Sequence, residues 1–168
     1  MPYLGEALTL ARWLIGNRAD AEDVVQEACL RALRAIGGYG GGSARSWVLT
    51  IVRNTAYTWM KTRSRAKLVA VDDLREDELL VVERGGDSNG ERVTTPEAEM
   101  IAQADAARLE AAISALPVDF REALVLRDLQ GLGYREIAEV TGAPVGTVMS
   151  RLARARQHLI RTLKTDDA

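Results

Sequence analysis

The sequence predicts an all-α fold, with two small helical domains joined by a flexible acidic linker. Three observations lead to it. Apolar residues recur at spacings of three and four in both halves, and neither half shows the strict alternation of strands. Ala, Leu and Arg are abundant while aromatic residues make up only 5%, a composition that favours helix. Between the two periodic regions, residues 66–95 lose the apolar pattern and collect acids and glycines.

Composition narrows the classes further. The chain has 168 residues, 47% hydrophobic and 27% charged, which is the composition of a soluble globular protein rather than a disordered one. A single cysteine, Cys29, excludes an internal disulfide framework and a cysteine-based zinc cluster. A single histidine, His158, excludes a multi-histidine metal site. The longest apolar run, Trp47 to Val52, is interrupted by Thr50 and is too short to cross a bilayer. No basic leader followed by an apolar stretch opens the chain, so the expected compartment is the cytoplasm. There is no phosphate loop, nucleophile elbow or paired metal-ligand motif, so neither enzyme chemistry nor a cofactor or metal is expected. Lys+Arg number 22 and Asp+Glu 24, a formal net charge of −2. Taken whole, that charge speaks against a nucleic-acid binder. Resolved along the chain, it does not.

The elements follow in order. Residues 3–36 read as helices. In Asp20 to Ile36 the apolar positions are Val25, Cys29, Ala32, Leu33 and Ile36, with Asp20 as the expected N-cap and Glu22 and Asp23 at the positive helix start. Gly37-Gly38 ends that helix. A glycine-rich loop carrying Tyr39 follows. A second helix is expected from about Ala44 to Arg63, with Val48, Ile51, Val52, Thr55 and Trp59 as its buried stripe. Residues 43–65 contain Arg45, Arg53, Lys61, Arg63 and Arg65 and no acid. Asn54, Tyr57 and Lys61 share one helix face beside Arg53. Cations, a ring and an amide on one face suit a single strand with unstacked bases. Trp47 and Trp59 fall at or beside the apolar stripe, so they read as core rather than as platforms for bases.

Residues 66–95 read as an acidic linker, with Leu79 to Val82 as a short local contact at most. Thr95-Pro96 is a suitable N-cap and first-turn pair. In the helix that follows, Leu109, Ala112, Ile113 and Leu116 share a face, and Pro117 closes it. Another helix covers about Val118 to Leu129 and stops at Gly131. Then comes a short helix, Tyr134 to Gly142, ending in glycine, the turn Ala143 to Gly146, and a longer helix from about Thr147. Ala138, Gly142 and Val148 have the helix-turn-helix arrangement: a small residue where the helices touch, a glycine for the left-handed turn, and an apolar plug. From 144 to 164 the charges are Arg151, Arg154, Arg156, Arg161 and Lys164, again with no acid. A basic helix with Thr147 and Ser150 near its start fits the major groove. The competing reading is a basic surface helix on an ordinary bundle; spacing and one-signed charge together favour DNA. Cys29 reads as a small packed residue and His158 as a surface one.

In this order the parts resemble the extracytoplasmic-function (ECF) group of bacterial sigma factors. Three stretches carry the resemblance: Ala21-Glu22-Asp23-Val24-Val25-Gln26-Glu27-Ala28, Trp47-Val48-Leu49-Thr50-Ile51-Val52-Arg53-Asn54-Thr55-Ala56, and Pro144-Val145-Gly146-Thr147-Val148-Met149-Ser150-Arg151-Leu152-Ala153-Arg154-Ala155-Arg156. The resemblance implies that residues 1–65 are sigma domain 2, which binds core RNA polymerase and the minus-ten promoter element. Residues 66–95 are then the linker, whose acidity mimics RNA in the exit path. Residues 96–168 are sigma domain 4, which binds the minus-thirty-five element.

The resemblance also implies site residues. Asp20, Asp23, Gln26, Glu27 and Leu30 would meet the polymerase clamp helices. Tyr39, Ser43, Arg45, Arg53, Asn54, Tyr57 and Lys61 would hold the minus-ten strand, with the loop at 39–45 cupping a flipped base, whose capture offsets the cost of unstacking. Pro144, Gly146, Thr147, Met149, Ser150, Arg151 and Arg154 would contact the minus-thirty-five element. Gly40, Gly41 and Gly42 depart from the more varied loop of relatives. Met149 stands where relatives often carry a basic residue, although it can touch a thymine methyl. An N-terminal helix usual in relatives is expected to be missing or truncated here. The implied partners are core RNA polymerase, promoter DNA and an anti-sigma factor. Two other classes remain at this point: a stand-alone regulator that dimerises on a palindrome, and a helical adaptor that binds only protein.

Overall fold

The computed structural model describes residues 2–70 and 95–166. Seven α-helices are found among the described residues. The first half holds α1 (Leu4–Ile15), α2 (Arg18–Ala35) and α3 (Ala44–Ala70); the second holds α4 (Pro96–Ser114), α5 (Val118–Leu124), α6 (Tyr134–Thr141) and α7 (Val145–Asp166). A 3₁₀ turn, Ile36–Gly38, follows α2, and a π-helical turn, Val125–Leu129, continues α5. No described residue is in a strand.

In the first half, α1, α2 and α3 pack on one another. Ala7, Leu10, Ala11 and Leu14 of α1 meet Ala21, Val24, Val25 and Ala28 of α2 and Leu49, Val52 and Ala56 of α3. Small residues on α2 let the helices approach closely, as dense packing requires. Two details of α2 differ from the sequence expectation. Its N-cap is Asn17, whose Oδ1 accepts from the Asp20 backbone N–H at 3.1 Å. Asp20 lies inside the helix and binds Arg63 of α3 at 2.9 Å. Of the expected stripe, Val25 and Ala32 are buried and Cys29 is half-buried, but Leu33 and Ile36 are each 62% exposed; Ala21, Val24 and Ala28 complete the buried face.

Helix α3 is longer than expected, running to Ala70. Its most buried residues are Leu49, Val52, Thr55 and Ala56, while Val48, Ile51 and Trp59 are half-buried at the edge of the core. Ser43 caps it, its Oγ accepting from the Ser46 N–H at 3.1 Å. Cys29 is half-buried against this core. The linker acids from Asp72 to Glu91, and Leu79 to Val82, lie outside the described residues.

In the second half, Thr95 caps α4 as expected, accepting from the Ala98 N–H. Ala112, Ile113 and Leu116 are buried, but Leu109 is 43% exposed. The expected helix over 118–129 keeps its extent but changes pitch at Val125, and Gly131 ends it with φ 71°. Helix α7 begins at Val145, two residues before the expected start.

The two halves share a core. Leu126, Leu132, Ile137 and Val140 of the second half join one buried cluster with Leu10, Leu49 and Val52 of the first. Helix α3 packs against α6, and α1 packs against α5.

Candidate nucleic-acid interface

Two surfaces bring the candidate residues together. The first is the helix-turn-helix. Gly142 ends α6 at φ 70°, ψ 16°, the left-handed conformation that a side chain disfavours, and its N–H donates to the Ala138 carbonyl at 2.9 Å. Ile137 and Val140 of α6 and Val148, Leu152 and Ala155 of α7 are buried together. Burying that face of α7 turns the opposite one outward. Pro144, Gly146, Met149, Ser150 and Arg154 are exposed there, with Thr147 and Arg151 half-buried. Ser150 Oγ donates to the Thr147 carbonyl at 3.0 Å. Arg151 lies 3.9 Å from Asp119, whereas Arg154 has no ion pair among the described residues. The result is a convex, cationic helix face that begins at an αL turn. Arg156, on the flank, pairs with Asp128 at 3.0 Å, which holds its guanidinium charged against a small burial cost.

The second surface is the glycine loop and the start and middle of α3. Tyr39 folds back so that its hydroxyl donates to the Gly42 carbonyl at 2.7 Å, and its ring lies 5.1 Å from that of Trp47. Gly41 and Gly42 have φ 92° and 94°, so the loop needs glycine at both. The loop, Ser46, Trp47 and Thr50 surround an open cavity with Glu139 of α6 at its rim. Ser43 lies in the loop, although its hydroxyl is taken up in capping α3.

Further along, Arg45, Arg53 and Tyr57 do not face open solvent. Arg45 Nε donates to Glu6 Oε2 at 2.6 Å, and a terminal guanidinium nitrogen donates to the Gln130 carbonyl. The Gln130 side-chain amide in turn donates to the Glu6 carbonyl at 2.7 Å. Arg53 Nε donates to Glu122 Oε1 at 2.6 Å, and its guanidinium stacks 4.0 Å above the Tyr57 ring. The Tyr57 hydroxyl donates to Glu122 Oε2 at 2.9 Å, with Asp119 Oδ1 at 3.4 Å. Glu122 is 0% exposed. Burial pushes its carboxyl above the usual range, against the pull of Arg53 and Tyr57. Burial and the neighbouring Glu122 charge raise the Tyr57 phenol, so it stays protonated as a donor. Asn54 and Lys61 remain exposed on the same helix.

On the far side of the first half, α2 presents Asp23, Gln26 and Leu30 to solvent, with Glu27 half-buried and paired to Arg31 at 2.9 Å. Leu33 and Ile36 extend this surface as exposed apolar residues. Among the described residues no group of His, Cys, Asp or Glu could hold a metal ion, and no helix is long and apolar enough to cross a membrane.

Residues 1–66 match the family Sigma-70 region 2, and residues 106–159 match Sigma-70, region 4. The RNA polymerase sigma-H factor of Pseudomonas aeruginosa is 34% identical over 98% of this chain and 83% of its own length. The chain belongs to the sigma-70 family of RNA polymerase sigma factors, in its ECF group. The ECF RNA polymerase sigma-E factor of Escherichia coli K12 is 38% identical over 82% of this chain and 71% of its own. Among solved structures, the sigma factor RpoE in complex with the anti-sigma factor NepR from Bartonella quintana aligns with a TM-score of 0.72 and 26% identity, covering 97% of this chain and 92% of that one. The all-α expectation and the identification of sigma regions 2 and 4 therefore hold.

The acids and amides of the second half, Glu122, Asp119, Gln130 and Glu139, were not among the sequence candidates. One signal was available for Glu122. It is a lone acid in Phe120-Arg121-Glu122-Ala123-Leu124-Val125-Leu126, four residues after Val118 and four before Leu126, hence on the apolar face.

Proposed function

We propose that this sigma factor binds core RNA polymerase, recognises minus-thirty-five and minus-ten promoter elements and promotes strand opening for transcription initiation, under the control of an anti-sigma factor. Residues 1–65 carry core binding and the minus-ten contacts, 66–95 connect the halves, and 96–168 carry the minus-thirty-five contacts. The observation that carries the reading is the outward face of α7, where Thr147, Met149, Ser150 and Arg154 line one cationic surface behind the αL turn at Gly142. A helix presented this way enters a major groove with its N-terminal residues at the base edges.

The outer face of α2, with Asp20, Asp23, Gln26, Glu27 and Leu30, suits a protein partner because an apolar anchor sits among polar groups. Leu33 and Ile36 strengthen that surface. The loop from Tyr39 to Arg45 with Arg53, Asn54, Tyr57 and Lys61 suits the separated strand, since cations hold phosphates while rings and amides hold bases. Control by an anti-sigma factor is supported by the likeness to RpoE, which was solved with NepR. The work is in the cytoplasm, where polymerase and promoters are.

The test is reconstitution. Purified chain and core polymerase should start RNA from particular promoters in a genome-wide DNA pool. Absence of any promoter-specific transcript overturns the reading. A chain that shifts promoter DNA alone, without polymerase, and adds nothing to transcription is a stand-alone regulator instead.

A further inference from the structure

A cavity of about 400 Å³ lies where the end of α1 and the turn into α2 meet the end of α4 and the start of α5. A volume of this size accommodates a small molecule. None of the residues around it belongs to the surfaces assigned to promoter DNA or polymerase. Three guanidinium groups line it, those of Arg12, Arg18 and Arg121, against a single acid, Glu110. Arg18 is paired with Glu22 of its own helix at 2.9 Å. Arg12, Arg121 and Glu110 have no ion pair among the described residues. A terminal guanidinium nitrogen of Arg121 donates to the Ser114 carbonyl at 2.6 Å, but its Nε is buried without a hydrogen-bond partner. Burial pulls the Arg121 pKa down from the ordinary arginine value, offset in part by the Tyr57 phenol and by no carboxylate. A guanidinium desolvated without a counter-charge is costly, and an anion in the cavity supplies the partner that the chain does not.

The other lining groups narrow the class of anion. Guanidinium forks match phosphate oxygens. Glu110 repels a bare polyphosphate, so the ligand that suits this lining also carries donors for a carboxylate, as the hydroxyls of a ribose do. Trp13 is half-buried between the two core clusters and adds indole surface to the cavity wall, and an aromatic ring stacks on any base. We propose that this cavity is a binding site for a nucleoside phosphate, with its phosphates on Arg12 and Arg121, its sugar hydroxyls at Glu110 and its base against Trp13. The walls come from both halves of the chain, so the ligand bridges them. A ligand that binds only this arrangement adds to its stability by mass action.

The experiment uses the full chain with ADP, GDP, CDP and UDP as probes, and inorganic pyrophosphate as the probe of phosphate chemistry alone. Isothermal titration calorimetry gives the dissociation constants, thermal unfolding gives the melting temperature, and circular dichroism gives helix content. At least one nucleoside diphosphate should bind one to one, raise the melting temperature and bind more tightly than pyrophosphate. Arg12→Gln and Arg121→Gln should each weaken it about tenfold or more, the loss of a charge-assisted hydrogen bond. Glu110→Gln should weaken the nucleotide and leave pyrophosphate as tight or tighter. Arg135→Gln, at an exposed arginine of α6 away from the cavity, should change neither.

Absence of binding by all four nucleotides at millimolar concentration overturns the proposal. So does pyrophosphate binding as tightly as each of them, because sugar and base then contribute nothing. Equal weakening by Arg12→Gln, Arg121→Gln and Arg135→Gln overturns it too, since the attraction is then to positive charge anywhere on the chain. If Arg121→Gln loses helix content, Arg12→Gln on the opposite wall decides: a tenfold loss supports the site, and wild-type affinity overturns it.

Discussion

Asn54 and Arg53 are neighbours on α3 with different surroundings. Arg53 is held by Glu122, while Asn54 is exposed and its amide oxygen lies 3.5 Å from the Arg53 guanidinium. A short amide beside a cation can read a base edge without rearrangement. Asn54→Ala should therefore impair strand opening and leave the closed promoter complex intact, seen as lost permanganate reactivity at unchanged filter retention. Gly142 gives a second prediction at this scale. A Cβ there meets nothing within 4 Å, so only the backbone conformation resists it. Gly142→Ala should cost about 1–2 kcal/mol, the strain of a side chain in the left-handed region, measured as a lowered urea midpoint. At this scale the sequence was informative where one residue type meets a local need, as at Gly142 and Thr95. It was less so at Asn17 and Asp20. Both can cap a helix, and the choice was made by Arg63, which lies 43 residues from Asp20 and claims its carboxylate.

The elements differ in what they leave free. Helix α7 buries Val148, Leu152 and Ala155 and turns Arg154 outward. Arg154→Ala should weaken binding to upstream duplex and reduce the salt slope by about one phosphate contact, with core-polymerase pulldown unchanged. Equal loss of both would show that α7 does not act on DNA alone. Helix α2 gives the complementary case. Replacing Asp23 and Gln26 together should reduce polymerase pulldown and leave duplex binding by the isolated chain as it was. Periodicity located both helices, because an amphipathic pattern is a property of the helix itself. In α2 it placed Val25 and Ala32 inside, where they are, but set Leu33 and Ile36 there with them. Hydrophobicity ranks leucine above alanine but does not say which of them a neighbouring helix covers. The exposed pair lies at the end of the same helix as Leu30, the one apolar residue of the face proposed for the polymerase.

At the scale of the molecule, the halves that the sequence separates with a linker are joined through one core. Leu126, fully buried, sits in the same cluster as Leu10 and Leu49. Leu126→Ala should cost about 2–5 kcal/mol. Trp13, Trp47 and Trp59 all lie in the first half, so tryptophan fluorescence follows that half while far-UV dichroism follows both. With a shared core the two urea transitions should coincide in the wild type and shift down together in Leu126→Ala. Two transitions would show halves that fold independently. This joint packing could not be read from the sequence, since periodicity shows which face of a helix is apolar and not which helix will cover it.

Glu122 gives the junction a particular character. A leucine or methionine in its place, facing an apolar residue instead of Arg53, would fill the same space, and such swaps are often neutral or stabilising. They would also weld the halves, because apolar surface gains nothing from re-entering water. A carboxylate and a guanidinium each recover a full hydration shell when they part, and that recovered hydration offsets much of what the contact gives up. Where Glu122 meets Arg53 the junction is therefore polar, one stitch that can be undone in a contact whose remainder is the apolar cluster around Leu126.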